Sequence, residues 1–121
     1  MTVLQAINVQ ALERLKAWGG DKLVGQMVRL FLKNSGVRMD QIRKGVNEED
    51  SDEAERGAHS LKSTAANVGA ELLRELATQI ERAALEPDYD RMRSRLSEIE
   101  AAYAAAIAEL ESIEKEMPHE P

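Results

Sequence analysis

A chain of 121 residues, 43% of them hydrophobic, is long enough to bury one core and shows no composition break that would divide it, so one domain is expected. A formal charge of -6 with basic and acidic side chains interspersed argues against nucleic-acid partners, and the absence of cysteine removes disulfides and thiolate metal sites. No basic segment leads into a long apolar run, and no uninterrupted apolar stretch approaches the ~18 residues of a membrane span, so no leader or membrane segment is expected and the cytoplasm is the default.

Only three prolines occur, at positions 87, 118 and 121, and β-type alternation is scarce, so the chain reads as all-α. A first short helix is expected from about Val9 to Ala17, capped by Asn8, stopped by Gly19-Gly20 and turning Leu12 and Leu15 inward. A second opens at Asp21 and runs to about Val46. Val24, Met27, Leu30, Phe31, Val37 or Arg38, Gln41 and Ile42 mark its expected inner face, and Gly36 is a point of weakness where a bend is expected. Asp50, followed three residues later by Glu53, resembles a capping box for the third helix, which ends near Asn67 to Gly69.

After that turn, Leu73, Leu76, Ile80 and Ala84 define one face of a fourth helix, and Pro87 forbids its continuation. Asp88 starts the fifth. There Tyr89, Met92, Leu96, Ile99, Tyr103, Ala106, Leu110 and Ile113 recur at alternating steps of three and four, the seam of a helical bundle. The economical burial of these faces is an antiparallel four-helix bundle with the short N-terminal helix as a lid, spanning residues 1–113, with 114–121 as a frayed tail. A long helical hairpin that dimerises is the structural alternative.

His59 is the only histidine inside the helical body. His59, Lys62, Ser63 and Ala66 form one row on the third helix, beside the apolar row Ala54, Ala58, Leu61, Ala65 and Val68, so the imidazole stands at the edge of the buried stripe. A lysine one turn away suits a ring that will carry an anionic group, and the short side chains of Ser63 and Ala66 leave room for a large partner. From pattern alone, a single histidine at a helix edge is more often an ordinary surface residue.

Glu81 supplies a second clue. His59 lies ten residues before Gly69 and Glu81 twelve after it, so at about 1.5 Å rise per residue a turn there brings them to nearly one level. A carboxylate accepting from Nδ1 would leave Nε2 bare as an oriented nucleophile. Gln79 flanks the same apolar stripe on its other side, and periodicity does not say which side faces His59.

The stretch from Ala58-His59-Ser60-Leu61-Lys62-Ser63-Thr64 through Ala65-Ala66-Asn67-Val68-Gly69-Ala70, followed by Leu73, Leu76 and Ile80-Glu81, resembles the signature of histidine-containing phosphotransfer (Hpt) domains of two-component phosphorelays. Gly19-Gly20-Asp21, Phe31 and Asp50 also resemble that family's layout, extending the likeness over about residues 5 to 113. The resemblance implies a four-helix bundle in which His59 is phosphorylated, Lys62 helps to neutralise the phosphoryl oxygens and Glu81 orients the ring. Its implied partners are receiver domains of response regulators or hybrid histidine kinases, with the magnesium ion on the receiver and no cofactor or metal on this chain. Many members carry glycine after the lysine, where this chain has Ser63.

A monomeric phosphoryl carrier, not an ATP-dependent kinase, is therefore expected; no Gly-rich phosphate loop ending in Lys-Ser or Lys-Thr occurs in the chain. Ser60, Ser63, Thr64, Ala66 and Asn67 are candidate docking residues, equally explained as solvent-facing helix and turn residues. Gly69 is the expected structural turn. A helical adaptor that is never phosphorylated is the competing class, since it needs the bundle seam but not His59, Lys62 and Glu81 together. A bundle-core metal enzyme is disfavoured, because the Glu-x-x-His spacing occurs only at Glu116 and His119 in the tail, and a nucleophilic hydrolase lacks a second base.

Overall fold

The computed structural model describes residues 6–117 and contains four α-helices in that range: α1 (Val9–Asn47), α2 (Ser51–Asn67), α3 (Glu71–Leu85) and α4 (Tyr89–Glu116). Three-residue connections force consecutive helices to pack as antiparallel neighbours, and α4 returns against α1 to close the bundle. The expected all-α bundle is thus formed. Among the described residues no helix is long and apolar enough to cross a membrane. Helix α4 stays regular through Glu116, and residues 118–121 of the expected tail lie outside the described range.

The lid and the second expected helix are one element, α1, broken only at Gly20, whose φ of 70° and ψ of -167° belong to a region essentially reserved for glycine. The sharp change of direction therefore falls at Gly20. Gly36, where a bend was expected, lies within continuous helix. Residues 9–19 form an arm fastened across the end of the bundle that holds the α2–α3 turn. Asn8 caps it, its Oδ1 accepting from Gln10 N at 3.0 Å, while Asn8 N donates to Gly69 O at 2.8 Å. The Glu109 carboxylate of α4 takes the backbone N–H groups of Ala6 and Ile7 at 2.9 and 3.2 Å, and the Ile7 side chain is fully buried. Ala11 and Leu12 face inward, with Leu15 only half-buried.

Beyond the kink, α1 buries Val24, Val28, Phe31, Ser35, Met39, Ile42 and Val46. This phase differs from the expected one: Leu30 and Val37 are 53% and 60% exposed. The apolar count misleads here because the inward position at 35 is held by a serine. Its hydroxyl shares a 3.0 Å hydrogen bond with Tyr103 Oη of α4, which satisfies the buried polar group. In α4, Met92, Ile99, Ala106 and Leu110 are buried, while Tyr89, Leu96, Tyr103 and Ile113 pack half-buried along the same seam.

The buried face of α2 consists of Ala54, Gly57, Ala58, Leu61 and Ala65, so most of its inward residues are small. Small residues allow a close approach to α1. A Cβ on Gly45 would come within 2.4 Å of Ala54 N, and one on Gly57 within 2.8 Å of Arg38 O. Asp50 caps α2 through Oδ1 and Glu53 N at 3.2 Å, which is the first half of the expected capping box.

Helix α2 ends in a Schellman turn, with Ala70 N donating to Ala65 O at 2.9 Å and Gly69 N to Ala66 O at 3.3 Å. Gly69 has a φ of +77°, and an added Cβ would lie 2.6 Å from Asn8 O. Gly69→Ala is expected to destabilise the protein by about 1–3 kcal/mol, because it combines positive-φ strain with displacement of the arm. Urea unfolding checks this; an unchanged midpoint would show that the arm contributes nothing at that contact.

Candidate functional site

His59 projects from the edge of the small-residue face of α2, with its side chain 61% exposed. Across the α2–α3 turn, Ile80 anchors α3 in the core and the next residue, Glu81, faces α2. Of the two residues flanking that stripe, Glu81 and not Gln79 meets the histidine. Its Oε2 lies 2.5 Å from His59 Nδ1, and its Oε1 accepts from Lys62 Nζ at 2.7 Å. The three residues therefore form one linked cluster on the α2–α3 surface.

The Glu81 side chain is only 12% exposed, which works against its ionisation, but hydrogen bonds from Lys62 and His59, reinforced by their charges, hold its pKa below the ordinary glutamate range. An ionised carboxylate can only accept, so His59 Nδ1 carries the hydrogen in this contact. In a neutral ring this leaves the lone pair on Nε2. The two nitrogens occupy opposite edges of the imidazole; pinning Nδ1 to α3 turns Nε2 away from it.

His59 also borders a groove between α1 and α2, with Met27, Leu30, Phe31 and Val37 supplying its apolar wall. Ser60, Ser63, Thr64 and Asn67 line the opposite side, whereas Ala66 is exposed outside the groove lining. Ser63 Oγ turns back towards His59 O at a long 3.4 Å, and Thr64 Oγ1 donates to Ser60 O at 3.2 Å, so neither hydroxyl projects as a free obstacle. Leu30, Val37 and Arg38 belong to this groove although their spacing assigned them to the core. The signal that could have moved them outward was the presence of Val28 and Met39 on the alternative, better-filled face.

Glu55 lies one turn before His59, and one potential ligand atom from each of Glu55, His59 and Glu81 falls within 4.8 Å of the others. This is not an arrangement built for a metal ion. Both Glu81 oxygens are engaged, and the Lys62 ammonium already brings positive charge to the cluster.

The family model for the Hpt domain matches residues 26–115. The chain belongs to the Hpt domain family. Among solved structures, this Hpt domain is similar to histidine-containing phosphotransfer protein B (HptB) from Pseudomonas aeruginosa PAO1, with a TM-score of 0.86 and 18% sequence identity over 96% of this chain and 100% of that one. No curated protein matches the sequence. Family membership assigns the Hpt domain to histidine phosphotransfer in phosphorelays, and the structural likeness extends the agreement in fold to the arm that precedes residue 26.

Proposed function

We propose that His59 carries the phosphoryl group on Nε2 and exchanges it with an aspartate of receiver domains. The observation that carries this reading is the 2.5 Å contact of Nδ1 with a largely buried carboxylate, on a ring otherwise open to solvent. In loading, the Nε2 lone pair attacks phosphorus of the aspartyl phosphate in line. The N–P bond forms as the P–O bond to the aspartate breaks, and the released carboxylate keeps the electron pair. Nδ1 keeps its hydrogen and goes on donating it to Glu81, whose carboxylate compensates the positive charge that develops on the ring. Unloading reverses these steps.

Lys62 adds positive charge beside the transferring group, and the receiver brings the magnesium ion. The apolar α1 wall and polar α2 rim of the groove suit a transient docking partner, with Ser60, Ser63, Thr64 and Asn67 at its edge and Ala66 beside it. In this reading the chain is a monomeric cytoplasmic carrier that needs neither a cofactor of its own nor ATP.

The direct test offers the protein a panel of phosphorylated receiver domains with magnesium. Acid-labile, alkali-stable label mapped to His59 is the expected result. A folded protein that takes no label from receivers that load control carriers would favour the adaptor reading instead.

A further inference from the structure

The phosphoryl group brings up to two negative charges to a place where the local positive charge is already committed. Lys62 donates to Glu81 at 2.7 Å, and Glu55, one helical turn from the histidine, makes no ion pair among the described residues. Lys62 thus balances Glu81 and leaves Glu55 uncompensated. A dianion on Nε2 in this setting needs another cation.

Arg38 of α1 is the sole lysine or arginine lining the groove that His59 borders. Its Nη1 donates to Gln41 Oε1 at 3.0 Å, a neutral acceptor, and among the described residues the guanidinium has no carboxylate partner. Its position is fixed by the helix crossing: Arg38 O lies 2.8 Å from the point where Gly57 would bear a Cβ. Arg38 and His59 line the same groove between α1 and α2, which places the guanidinium and the imidazole at one cleft. Because Nδ1 is held by Glu81 of α3, Nε2 is left as the free edge of the ring, and the ring borders the groove that Arg38 lines.

We infer that Arg38 is a phosphoryl-binding residue of this Hpt domain, closing on the phosphoryl oxygens from α1 while Lys62 remains paired with Glu81. This rests on His59 being the phosphorylated residue. A guanidinium with free N–H groups fits a phosphoryl group through paired, charge-assisted hydrogen bonds. Gln41 then acts as a parking acceptor for the unloaded state.

The test uses the intact protein loaded chemically with phosphoramidate, so that no receiver is required, and follows the 31P shift of the phosphohistidine through a pH titration. A nearby cation disfavours protonation of the phosphohistidine, whose titration near neutrality is that of the ring, so Arg38→Gln is expected to raise the midpoint by about half a pH unit or more, with Arg38→Lys recovering part of the difference. Glu55, Glu81 and Lys62 are unchanged in both variants, and thermal unfolding should match wild type because the Arg38 side chain fills no core space. Equal midpoints in wild type and Arg38→Gln, or an Arg38→Lys midpoint as high as that of Arg38→Gln, would overturn the inference while leaving His59 as the carrier. No phosphohistidine signal on the wild type, under conditions that load a control carrier, would overturn the carrier reading and this inference with it.

Discussion

His59→Gln is expected to abolish acid-labile labelling while leaving helix content and thermal unfolding close to wild type. The two readouts separate because the histidine contributes little to packing: its ring is 61% exposed, whereas neighbouring Ala58 and Leu61 are fully buried. Glutamine retains an amide N–H able to donate to Glu81, so the mostly buried carboxylate keeps a second partner beside Lys62. It offers no nucleophilic lone pair on nitrogen. The predicted effect is therefore complete loss of the acceptor atom at a stability cost of less than about 1 kcal/mol. Residual label of the same acid lability on the variant would mean that another residue carries the phosphoryl group; a large fall in melting temperature would mean that His59 holds the bundle together.

The cluster could be anticipated because it obeys two local rules. Helical spacing put His59 and Lys62 on one row, and the positive-φ turn at Gly69 set the register that brings Glu81 level with them. Choosing Glu81 over Gln79 needed the actual rotation of α3, fixed by Leu73, Leu76, Ala77 and Ile80 in the core. The groove was less legible. Its wall depends on the rotation of α1, and the decisive residue there is Ser35, a polar side chain made tolerable inside by Tyr103, 68 positions later in the chain. Once Ser35 turns inward, Leu30 and Val37 must turn outward, and Arg38 comes to the groove beside them. The hold of Glu109 on the backbone of Ala6 and Ile7 is likewise a long-range contact that no local period encodes.

Glu81→Ala is expected to slow phosphoryl exchange by about tenfold or more, because the ring loses both its preferred orientation and the partner that keeps hydrogen on Nδ1. The same change releases the Lys62 ammonium from its 2.7 Å contact, free to swing towards a phosphoryl group. Slower transfer without a shorter phosphohistidine lifetime is therefore the expected combination. Glu81→Gln should be milder, since the amide oxygen still accepts from Nδ1–H but no longer balances the charge that develops on the ring. Acid stability gives an independent check with a definite sign. The Glu81 pKa is lower in the folded protein than in the unfolded chain, so its stabilising contribution is fully present above the ordinary glutamate range and is lost as pH falls through the depressed folded value. Wild type should hold its advantage over Glu81→Gln at neutral pH and lose it progressively in acid. Identical transfer rates for wild type and Glu81→Ala would remove the carboxylate from the reaction. An advantage that persisted undiminished at the lowest pH would show that its bonds to His59 and Lys62 are not those of an ionised group.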